Sequence, residues 1–314
     1  MKRNFIFSFI LVIVLLLSGC TEGSANIKDD NNKEAQNNSS EQDSKDAESK
    51  DKEKDKEKDK EKDSDKGAVK IDSATVYQQD GISILTKSFE KEGVYGPSIQ
   101  VEIENTSENN ITIQTTEVSI NDFMIDTIFS ADVAAGKKIV DEIVLERSDL
   151  DLAKIKNIGK IDLKFNIIDS RTYETIRTSD LIQIKTNKAD KINPSAVTQG
   201  TIVYDENAIK IHALQLKKDS IGDSIITFYI ENNQDQRIIV QSQNFSADGY
   251  MVEPIFSAEL GPNKKRVEQL SIFKSDLKDI GVDEIKTVEF QLIILDGTTW
   301  ETKYITDTIK LSFK

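Results

Sequence analysis

An internal duplication with a fixed offset constrains this chain more than any other feature. The tetrapeptide Ile128-Phe129-Ser130-Ala131 returns as Ile255-Phe256-Ser257-Ala258, and 255 − 128 = 127. The same offset of 127 relates Ile103-Glu104-Asn105 to Ile230-Glu231-Asn232, and it holds from Val76 to Phe313 without an insertion or deletion. Most of the protein is therefore one domain written twice, as in other proteins built from repeated units.

Length and charge narrow the class of protein further. A chain of 314 residues is long enough for two domains that each bury a core. The net charge is −14 and the isoelectric point is about 4.8. Nucleic acids and anionic lipid surfaces are bound by basic faces, so the acidic balance argues against both, and no nucleic-acid partner is predicted.

The N-terminus has the pattern of an export signal, predicted over residues 1–19. Lys2 and Arg3 precede an apolar run from Phe5 to Leu17, which is too short to span a bilayer as a helix of about 20 residues. The run ends in Leu17-Ser18-Gly19-Cys20, which resembles the lipobox of bacterial lipoproteins. That resemblance implies a diacylglycerol and palmitate anchor on Cys20 and a location at the extracytoplasmic face of the cell membrane. The alternative is an ordinary signal peptide followed by a chance cysteine.

Residues 20–66 are predicted to be the lipidated cysteine and a disordered tether. They contain almost no apolar side chains, and from Lys50 to Asp63 basic and acidic residues alternate strictly. Such a segment cannot bury enough surface to offset the entropy lost on ordering. We interpret it as a spacer between membrane and folded domains. A charge-rich recognition segment is the other interpretation.

The two repeats are predicted to be all-β, with repeat 1 at 67–187, a linker at 188–200 and repeat 2 at 201–314. Stretches such as Ser98–Glu104 alternate apolar and polar residues, as half-buried strands do. Turn residues separate them, which indicates two tandem immunoglobulin-like antiparallel β-sandwiches. One short helix is expected in each repeat, with Ser148 and its counterpart Ser275 as N-caps.

Four motifs recur in both repeats: Ile-Glu-Asn, a Met four residues before Ile-Phe-Ser-Ala, a Lys-Lys turn, and Ser-Asp-Leu. With the lipobox, this arrangement resembles a family of Gram-positive surface lipoproteins with tandem immunoglobulin-like extracellular domains, a family of unknown function. The resemblance implies fold and location, and it implies no catalytic residues.

The sequence offers little for catalysis. The single histidine, His212, has Leu85 as its counterpart, and the single cysteine is Cys20. A Ser-His-Asp triad would have to use His212, which has no histidine counterpart in repeat 1, and a Cys/His zinc site needs more cysteine or histidine ligands than the chain contains. Gly136-Lys137-Lys138 lacks the rest of a phosphate-binding loop and is read as a strand-connecting turn. We therefore predict no enzyme, no metal site and no cofactor.

Two matched turns are the candidate contact sites. Tyr173 follows Asp169 in one predicted hairpin, and Trp300 follows Asp296 in its counterpart. Aromatic rings on loops form many sugar and peptide sites, because a ring is a large rigid apolar face. The alternatives are that both rings pack on the sandwich edge, or that Asp169 and Asp296 bind calcium.

Methionine and aromatic residues also recur at matched positions of the two repeats. Met124 and Met251, like Phe129 and Phe256, recur at matched places and are read as core, although Tyr250 in the place of Phe123 also suggests a contact edge.

The predicted function is that of a lipid-anchored, non-enzymatic interaction module of the cell envelope, with an unknown envelope protein or glycan as its partner. The alternative is a small-ligand or glycan-binding lipoprotein that serves a transporter or sensor through Tyr173 and Trp300. An envelope hydrolase with carboxylate chemistry is the third hypothesis.

Overall fold

The computed structural model describes residues 68–192 and 200–313. The predicted signal peptide, Cys20, the tether and Asn193-Pro194-Ser195 of the linker lie outside these residues. In the described ranges, no helix is long and apolar enough to cross a membrane.

Repeat 1 consists of antiparallel strands joined by short turns. Its strands are β1 (Ala74–Gln79), β2 (Ile82–Glu90), β3 (Ser98–Asn105), β4 (Ile111–Ile120), β5 (Phe123–Met124), β6 (Thr127–Ile128), β7 (Ser130–Val133), β8 (Lys137–Leu145), β9 (Lys160–Asp169), β10 (Thr175–Thr178) and β11 (Ile182–Lys185). One sheet has the order β1-β2-β3-β8-β6. The other contains β10-β9-β4-β5, with β11 also paired to β9 and β7 to β4.

Repeat 2 has the same plan. Its strands are β12 (Thr201–Glu206), β13 (Ile209–Lys218), β14 (Ser224–Asn232), β15 (Ile238–Ala247), β16 (Tyr250–Met251), β17 (Ser257–Leu260), β18 (Lys264–Ile272), β19 (Thr287–Asp296), β20 (Thr302–Ile305) and β21 (Ile309–Ser312). Strands β12-β13-β14-β18 form one sheet. The other contains β16-β15-β19-β20, with β17 on β15 and β21 on β19.

The alternating pattern explains why these segments are strands. In β3, Ile99, Val101 and Ile103 are buried, while the polar residues between them are only partly buried. Successive side chains of a strand point to opposite faces, so one face joins the core. The prediction of two antiparallel, immunoglobulin-like β-sandwiches, each with one short helix, is confirmed.

The helices lie where the chain crosses from one sheet to the other, but they start earlier than predicted. Helix α1 (Arg147–Leu152) connects β8 to β9, and its N-cap residue is Glu146. The predicted N-cap, Ser148, is inside the first turn, where its hydroxyl donates a hydrogen bond to the Glu146 carboxylate. The prediction was wrong because β8 continues to Leu145, which leaves only Glu146 between strand and helix.

The counterpart in repeat 2 shows the same correction. Helix α2 (Lys274–Asp279) has Phe273 at its N-cap, so Ser275 is likewise inside the first turn. In both helices the leucine of the Ser-Asp-Leu motif, Leu150 or Leu277, is the buried residue. The motif therefore anchors each helix to the core through its leucine and not through a serine cap.

The Ile-Glu-Asn motif ends in a buried asparagine that holds two loops together. The Asn105 amide donates to the carbonyls of Asn109 (2.8 Å) and Val133 (3.0 Å). In repeat 2, Asn232 donates to the carbonyls of Gln236 (2.8 Å) and Gly261 (2.9 Å). Buried backbone carbonyls need partners, and a side-chain amide supplies two donors. This need explains why the asparagine recurs at the 127-residue offset.

The two repeats pack directly on each other. Strand β5 of repeat 1 pairs in parallel with β18 of repeat 2 at Phe123 and Lys265, which joins two sheets into one continuous sheet. Tyr229 and Val267 of repeat 2 belong to the hydrophobic cluster of repeat 1. The core of repeat 1 is therefore completed by residues of repeat 2.

Candidate interaction surfaces

In each predicted contact turn, an aspartate side chain binds the backbone of the loop. The Asp169 carboxylate accepts hydrogen bonds from the backbone N–H groups of Arg171 and Thr172, both at 2.9 Å. Asp296 does the same with Thr298 and Thr299, also at 2.9 Å. These backbone hydrogen bonds hold the pKa of both carboxyl groups below the usual range. Each aspartate is thus part of the turn itself.

Tyr173 and Trp300 occupy a backbone conformation that bulky residues rarely adopt. Their φ angles are +60° and +63°, and their N–H groups close the turn onto the carbonyls of Asp169 (2.8 Å) and Asp296 (2.9 Å). Left-handed backbone at such residues costs about 1–3 kcal/mol, and glycine would avoid this cost. The side chains are 82% and 54% exposed. Both turns therefore hold an aromatic ring toward solvent at a cost in strain.

Each contact turn is fixed to its own sandwich. In repeat 1 the Ser170 N–H donates to the Asn110 carbonyl at 3.1 Å, and in repeat 2 the Gly297 N–H donates to the Arg237 carbonyl at 2.9 Å. The two rings thus occupy equivalent places in the two repeats. In the described residues no group of three potential His, Cys, Asp or Glu ligands lies close enough to hold a metal ion.

The lysine turns are hairpin connections. Gly136 has φ +68°, and Asn263, its counterpart, has φ +55°. Both residues supply the left-handed position that the turn requires, a role that glycine and asparagine share. Lys137 and Lys138 follow at the start of β8, and Lys264 and Lys265 at the start of β18.

A cluster of two aspartates and two lysines joins the repeats. Lys264 Nζ lies 2.6 Å from Asp162 and 3.1 Å from Asp122, and Lys160 Nζ lies 3.1 Å and 2.7 Å from the same two carboxylates. Burial raises the pKa of both aspartates, but the hydrogen bonds from the lysines outweigh this effect and hold each pKa below its usual value. Both carboxylates are therefore ionised at neutral pH.

A second ion-pair group lies beside this cluster. The Arg266 guanidinium donates to both carboxylate oxygens of Asp126, at 3.2 and 3.1 Å, and to Glu268 at 2.6 Å. Burial lowers the pKa of Arg266, but the two carboxylates outweigh it and raise the pKa overall. The neighbouring Asp149 accepts the Asp126 N–H at 2.7 Å, so α1 also supports this part of the contact.

The apolar part of the contact centres on Phe123. Its ring lies 6.2 Å from the ring of Tyr229, and Lys265 Nζ lies 6.0 Å from its centroid. The backbone also takes part, because the Lys265 N–H donates to the Asp122 carbonyl at 2.9 Å. Aromatic, ionic and backbone contacts together make this a built interface.

Surface grooves offer little to a small ligand. A groove of about 410 Å³ between the repeats is lined by residues such as Thr115, Glu117 and Arg266. Arg266 is already paired with carboxylates, so the groove presents no available cation to an anion. A groove of about 540 Å³ on repeat 1 is lined by Ile128, Val140 and mostly polar neighbours. Small-molecule sites are usually enclosed and mostly apolar.

The matched aromatic and methionine positions differ between the repeats. Phe123 and Met124 are 5% and 7% exposed, whereas Tyr250 and Met251 are 53% and 68% exposed. The interpretation as core residues therefore holds for Met124 and fails for Met251. Phe129 and Phe256 are both buried, as expected for core residues.

His212 lies on β13, on the face opposite the core of repeat 2. It is buried, and its ring lies 5.8 Å from that of Tyr229. Tyr229 in turn donates its hydroxyl hydrogen to the Glu231 carboxylate, and burial together with that hydrogen bond raises its pKa. The ring of His212 is thus part of the packing near the contact between the repeats.

The matches to known proteins are confined to solved structures of distant sequence. No protein-family model matches the chain, and no curated protein matches its sequence. The YadV chaperone matches at 12% identity and a TM-score of 0.23, over 68% of this chain and 92% of its own. The Salmonella enterica SafA pilin in complex with the SafB chaperone matches at 10% identity and a TM-score of 0.21, over 76% of this chain and 98% of that chain.

A third solved structure is itself of unknown function. It comes from Porphyromonas gingivalis and matches at 12% identity and a TM-score of 0.21, over 69% of this chain and 91% of its own. Identities and TM-scores this low carry no information about what the present chain binds.

Proposed function

We propose that this protein is a lipid-anchored, non-enzymatic interaction module on the extracytoplasmic face of the cell membrane. Cys20 is the lipid site, and residues 21–66 are the spacer that separates the membrane from the two sandwiches. Tyr173 and Trp300 are the contact residues for another protein of the cell envelope.

The observation that carries this proposal is the recurrence of an exposed aromatic ring in a strained backbone conformation. Tyr173 and Trp300 both have positive φ angles in turns fixed by an aspartate. If the turn conformation were the only requirement at these positions, glycine or asparagine would be expected there. Strain of this kind is a reason to suspect function. Tyr and Trp are also the side chains most enriched at the energetic centres of protein interfaces.

The surfaces favour a protein partner over a small molecule. The groove between the repeats is lined largely by polar side chains, and each of its charged groups is already in an ion pair. Half of the residues that line the groove on repeat 1 are polar. Exposed rings such as Tyr173 and Trp300 suit contact with a protein surface better than enclosure of a small ligand. Exposed rings also stack on sugars, so a glycan partner is the second candidate.

The contact residues are tested by replacing both with glycine in the full chain, produced in cells. Tyr173→Gly with Trp300→Gly keeps the turn conformation and removes the rings, so crosslinking to envelope proteins should be lost while the amount of folded protein is unchanged. The matched control is Ile305→Gly, which removes an exposed apolar side chain from β20. If the double variant crosslinks like the parent chain, the rings are not the contact. If crosslinks to protein are absent in the parent but cell-wall glycan binds, the glycan candidate replaces the protein partner.

The anchor has a separate test. Cys20→Ser should move the protein from the membrane fraction to the soluble fraction and leave the signal uncleaved by the lipoprotein route. A variant that stays in the membrane and is processed like the parent would contradict lipidation at Cys20.

A further inference from the structure

The contact between the repeats has two halves, which we name the docking edge and the receiving edge. The docking edge is residues 121–126 of repeat 1, which include β5. The receiving edge is residues 264–267, at the start of β18 in repeat 2. Within the chain the docking edge is seated on the receiving edge through the Phe123–Lys265 strand pair, and Asp162 on β9 adds an ion pair with Lys264.

Because the chain is duplicated, each half has a second copy that the other repeat does not cover. The copy of the docking edge is residues 248–253 of repeat 2, and the copy of the receiving edge is residues 137–140 of repeat 1. Val267 on the receiving edge is 7% exposed, whereas its counterpart Val140 is 55% exposed. On the copy of the docking edge, Tyr250 and Met251 are likewise exposed, whereas their counterparts Phe123 and Met124 are buried. Each repeat therefore has one unoccupied half: repeat 1 has the copy of the receiving edge, and repeat 2 has the copy of the docking edge.

The strand pairing shows the same difference. Strand β5 pairs with β4 and, across the repeats, with β18. In the part of the chain that the structure describes, its counterpart β16 pairs with β15 alone. An edge with unpaired backbone groups is a ready template for another strand. The backbone at β16 can thus accept the contact that β5 already makes.

Several side chains of the unoccupied halves retain complementary chemistry. Glu289 stands at the position of Asp162, and Lys137 stands at the position of Lys264, so the central ion pair can be repeated. Within the chain, the ring of Phe123 lies beside that of Tyr229. In the unoccupied halves, Tyr250 stands at the position of Phe123 and Glu102 at the position of Tyr229. A phenol hydroxyl can donate to a carboxylate, so this exchange is also compatible.

Several ion pairs are not repeated, and their loss sets the strength of the contact. Gly249 replaces Asp122 and Thr287 replaces Lys160, so two members of the ion-pair cluster are missing. Glu253 replaces Asp126, but Ile139 replaces Arg266, so the guanidinium that binds Asp126 is missing. The contact between two copies should therefore be weaker than the one inside the chain. Weak contacts of this kind become populated when copies are concentrated, for example on one membrane.

We infer that the docking edge of repeat 2 binds the receiving edge of repeat 1 in a second copy of this chain, with Tyr250 beside Lys138. The two surfaces differ from each other, so the contact is head-to-tail and each copy keeps one half for the next. A head-to-tail contact builds an open chain of copies, or a ring if the rotation between copies closes, whereas a two-fold contact ends at the dimer. This inference is independent of the partner proposed for Tyr173 and Trp300.

Engineered cysteines in the full chain test the head-to-tail contact. Lys138→Cys and Tyr250→Cys replace exposed residues at the paired positions, and paired strands bring Cα atoms within the range that a disulfide needs. After mild oxidation of producing cells, the double variant should give a ladder of dimers, trimers and larger species. Two single variants produced together should give dimers only, and each single variant alone should match the parent, which carries Cys20.

Two controls make the result decisive. Phe123→Cys with Lys265→Cys tests the same strand pair inside one chain and should give an intramolecular disulfide. Tyr250→Cys with Thr178→Cys moves one cysteine to an exposed site on β10 and should give no ladder. If the internal pair forms and Lys138→Cys with Tyr250→Cys gives no species above the single variants, the inference is overturned. It is also overturned if Tyr250→Cys alone forms the same dimers, because the contact is then symmetric.

A second measurement does not depend on cysteine chemistry. The sedimentation coefficient of the parent chain should increase with concentration. Met251→Asp with Tyr250→Asp should abolish this increase, because the variant places two charges on the docking edge of repeat 2. Ile305→Asp adds a charge to exposed apolar surface elsewhere in repeat 2 and should leave the increase unchanged. A parent chain that stays monomeric at all concentrations, both in solution and in the crosslinking experiment, would contradict the inference.

Discussion

Asp162 and Glu289 occupy equivalent positions in very different surroundings, and their neutral variants should differ in stability. The Asp162 carboxylate is buried, where it binds Lys264 (2.6 Å) and Lys160 (3.1 Å) and accepts a hydrogen bond from Gln183 (3.1 Å). The Glu289 carboxylate is partly exposed and binds the exposed Lys310 at 2.6 Å. The same loss of one negative charge can thus be compared at a buried and a surface site.

The magnitude follows from these contacts. Asp162→Asn keeps the shape and an oxygen acceptor, but the ion pairs with Lys264 and Lys160 become hydrogen bonds from a charged donor to a neutral amide, at a cost of about 1 kcal/mol each. Lys264 is mostly buried and keeps only Asp122 as an ionic partner, which adds about 1 kcal/mol. We expect the free energy of unfolding to fall by roughly 2–3 kcal/mol. Glu289→Gln should cost at most about 0.5 kcal/mol, as surface ion pairs do.

Calorimetry of the full chain with each substitution measures this difference. For a folded region of this size, about 1 kcal/mol corresponds to roughly 2–4 °C, so Asp162→Asn should unfold about 4–12 °C below the parent. Glu289→Gln should unfold within about 2 °C of it. Equal shifts for the two variants would refute the reasoning that the buried cluster holds the repeats together.

The pH dependence provides an internal check. The pKa of Asp162 is lower in the folded protein than in the unfolded chain, so its stabilisation is present above the unfolded value of about 3.9. It is lost as the pH falls through the folded pKa. The gap between the parent and Asp162→Asn should therefore be full at pH 7 and should close in strong acid. A gap that stays constant into strong acid would show that the effect comes from shape and not from charge.

Three further tests, which use four substitutions, address other parts of the structure. Asn232→Asp replaces an amide that donates to two buried carbonyls by a carboxyl group that accepts. In denaturant titrations it should lower the free energy of unfolding by about 3 kcal/mol. A loss under about 1 kcal/mol would contradict this role of Asn232. Trp300→Gly should leave the melting temperature unchanged or raise it slightly, because glycine relieves the left-handed strain, and a clear decrease would show that the ring stabilises the fold. By calorimetry, Phe123→Ala should lower the free energy of unfolding by about 3–4 kcal/mol, because Phe123 is buried. Tyr250→Ala, at the equivalent exposed position, should lower it by under about 1 kcal/mol. Equal losses would contradict the assignment of Phe123 to the contact between the repeats.

The fold could be predicted because its signal is local. Alternation in segments such as Ser98–Glu104 and turn residues such as Asp80-Gly81 determine where strands begin and end. The recurrence of Asn105 as Asn232 marked an important position, but only the structure shows that each side chain binds two loop carbonyls. Such a bond depends on segments that are distant in sequence.

The contact between the repeats could not be predicted for the same reason. Phe123 and Tyr250 align in the duplication, yet one is buried against the second repeat and the other is exposed. Alignment within a chain compares residues and says nothing about their neighbours. The helix start was misplaced because Ser148 fits a capping pattern, while the actual cap position, Glu146, is set by the end of β8.

The shared core of the repeats has a consequence for the order of folding during synthesis. Phe123 and Met124 leave the ribosome well before the strand that covers them, because Lys265 follows Phe123 by 265 − 123 = 142 residues. At about 5–20 residues per second this interval is roughly 7–28 s. Until repeat 2 follows, repeat 1 has an uncovered aromatic and methionine edge, so a chain truncated within repeat 2 would keep this edge exposed and be prone to aggregation. Completion of β18 removes this exposure and couples the final stability of repeat 1 to the last third of the polypeptide.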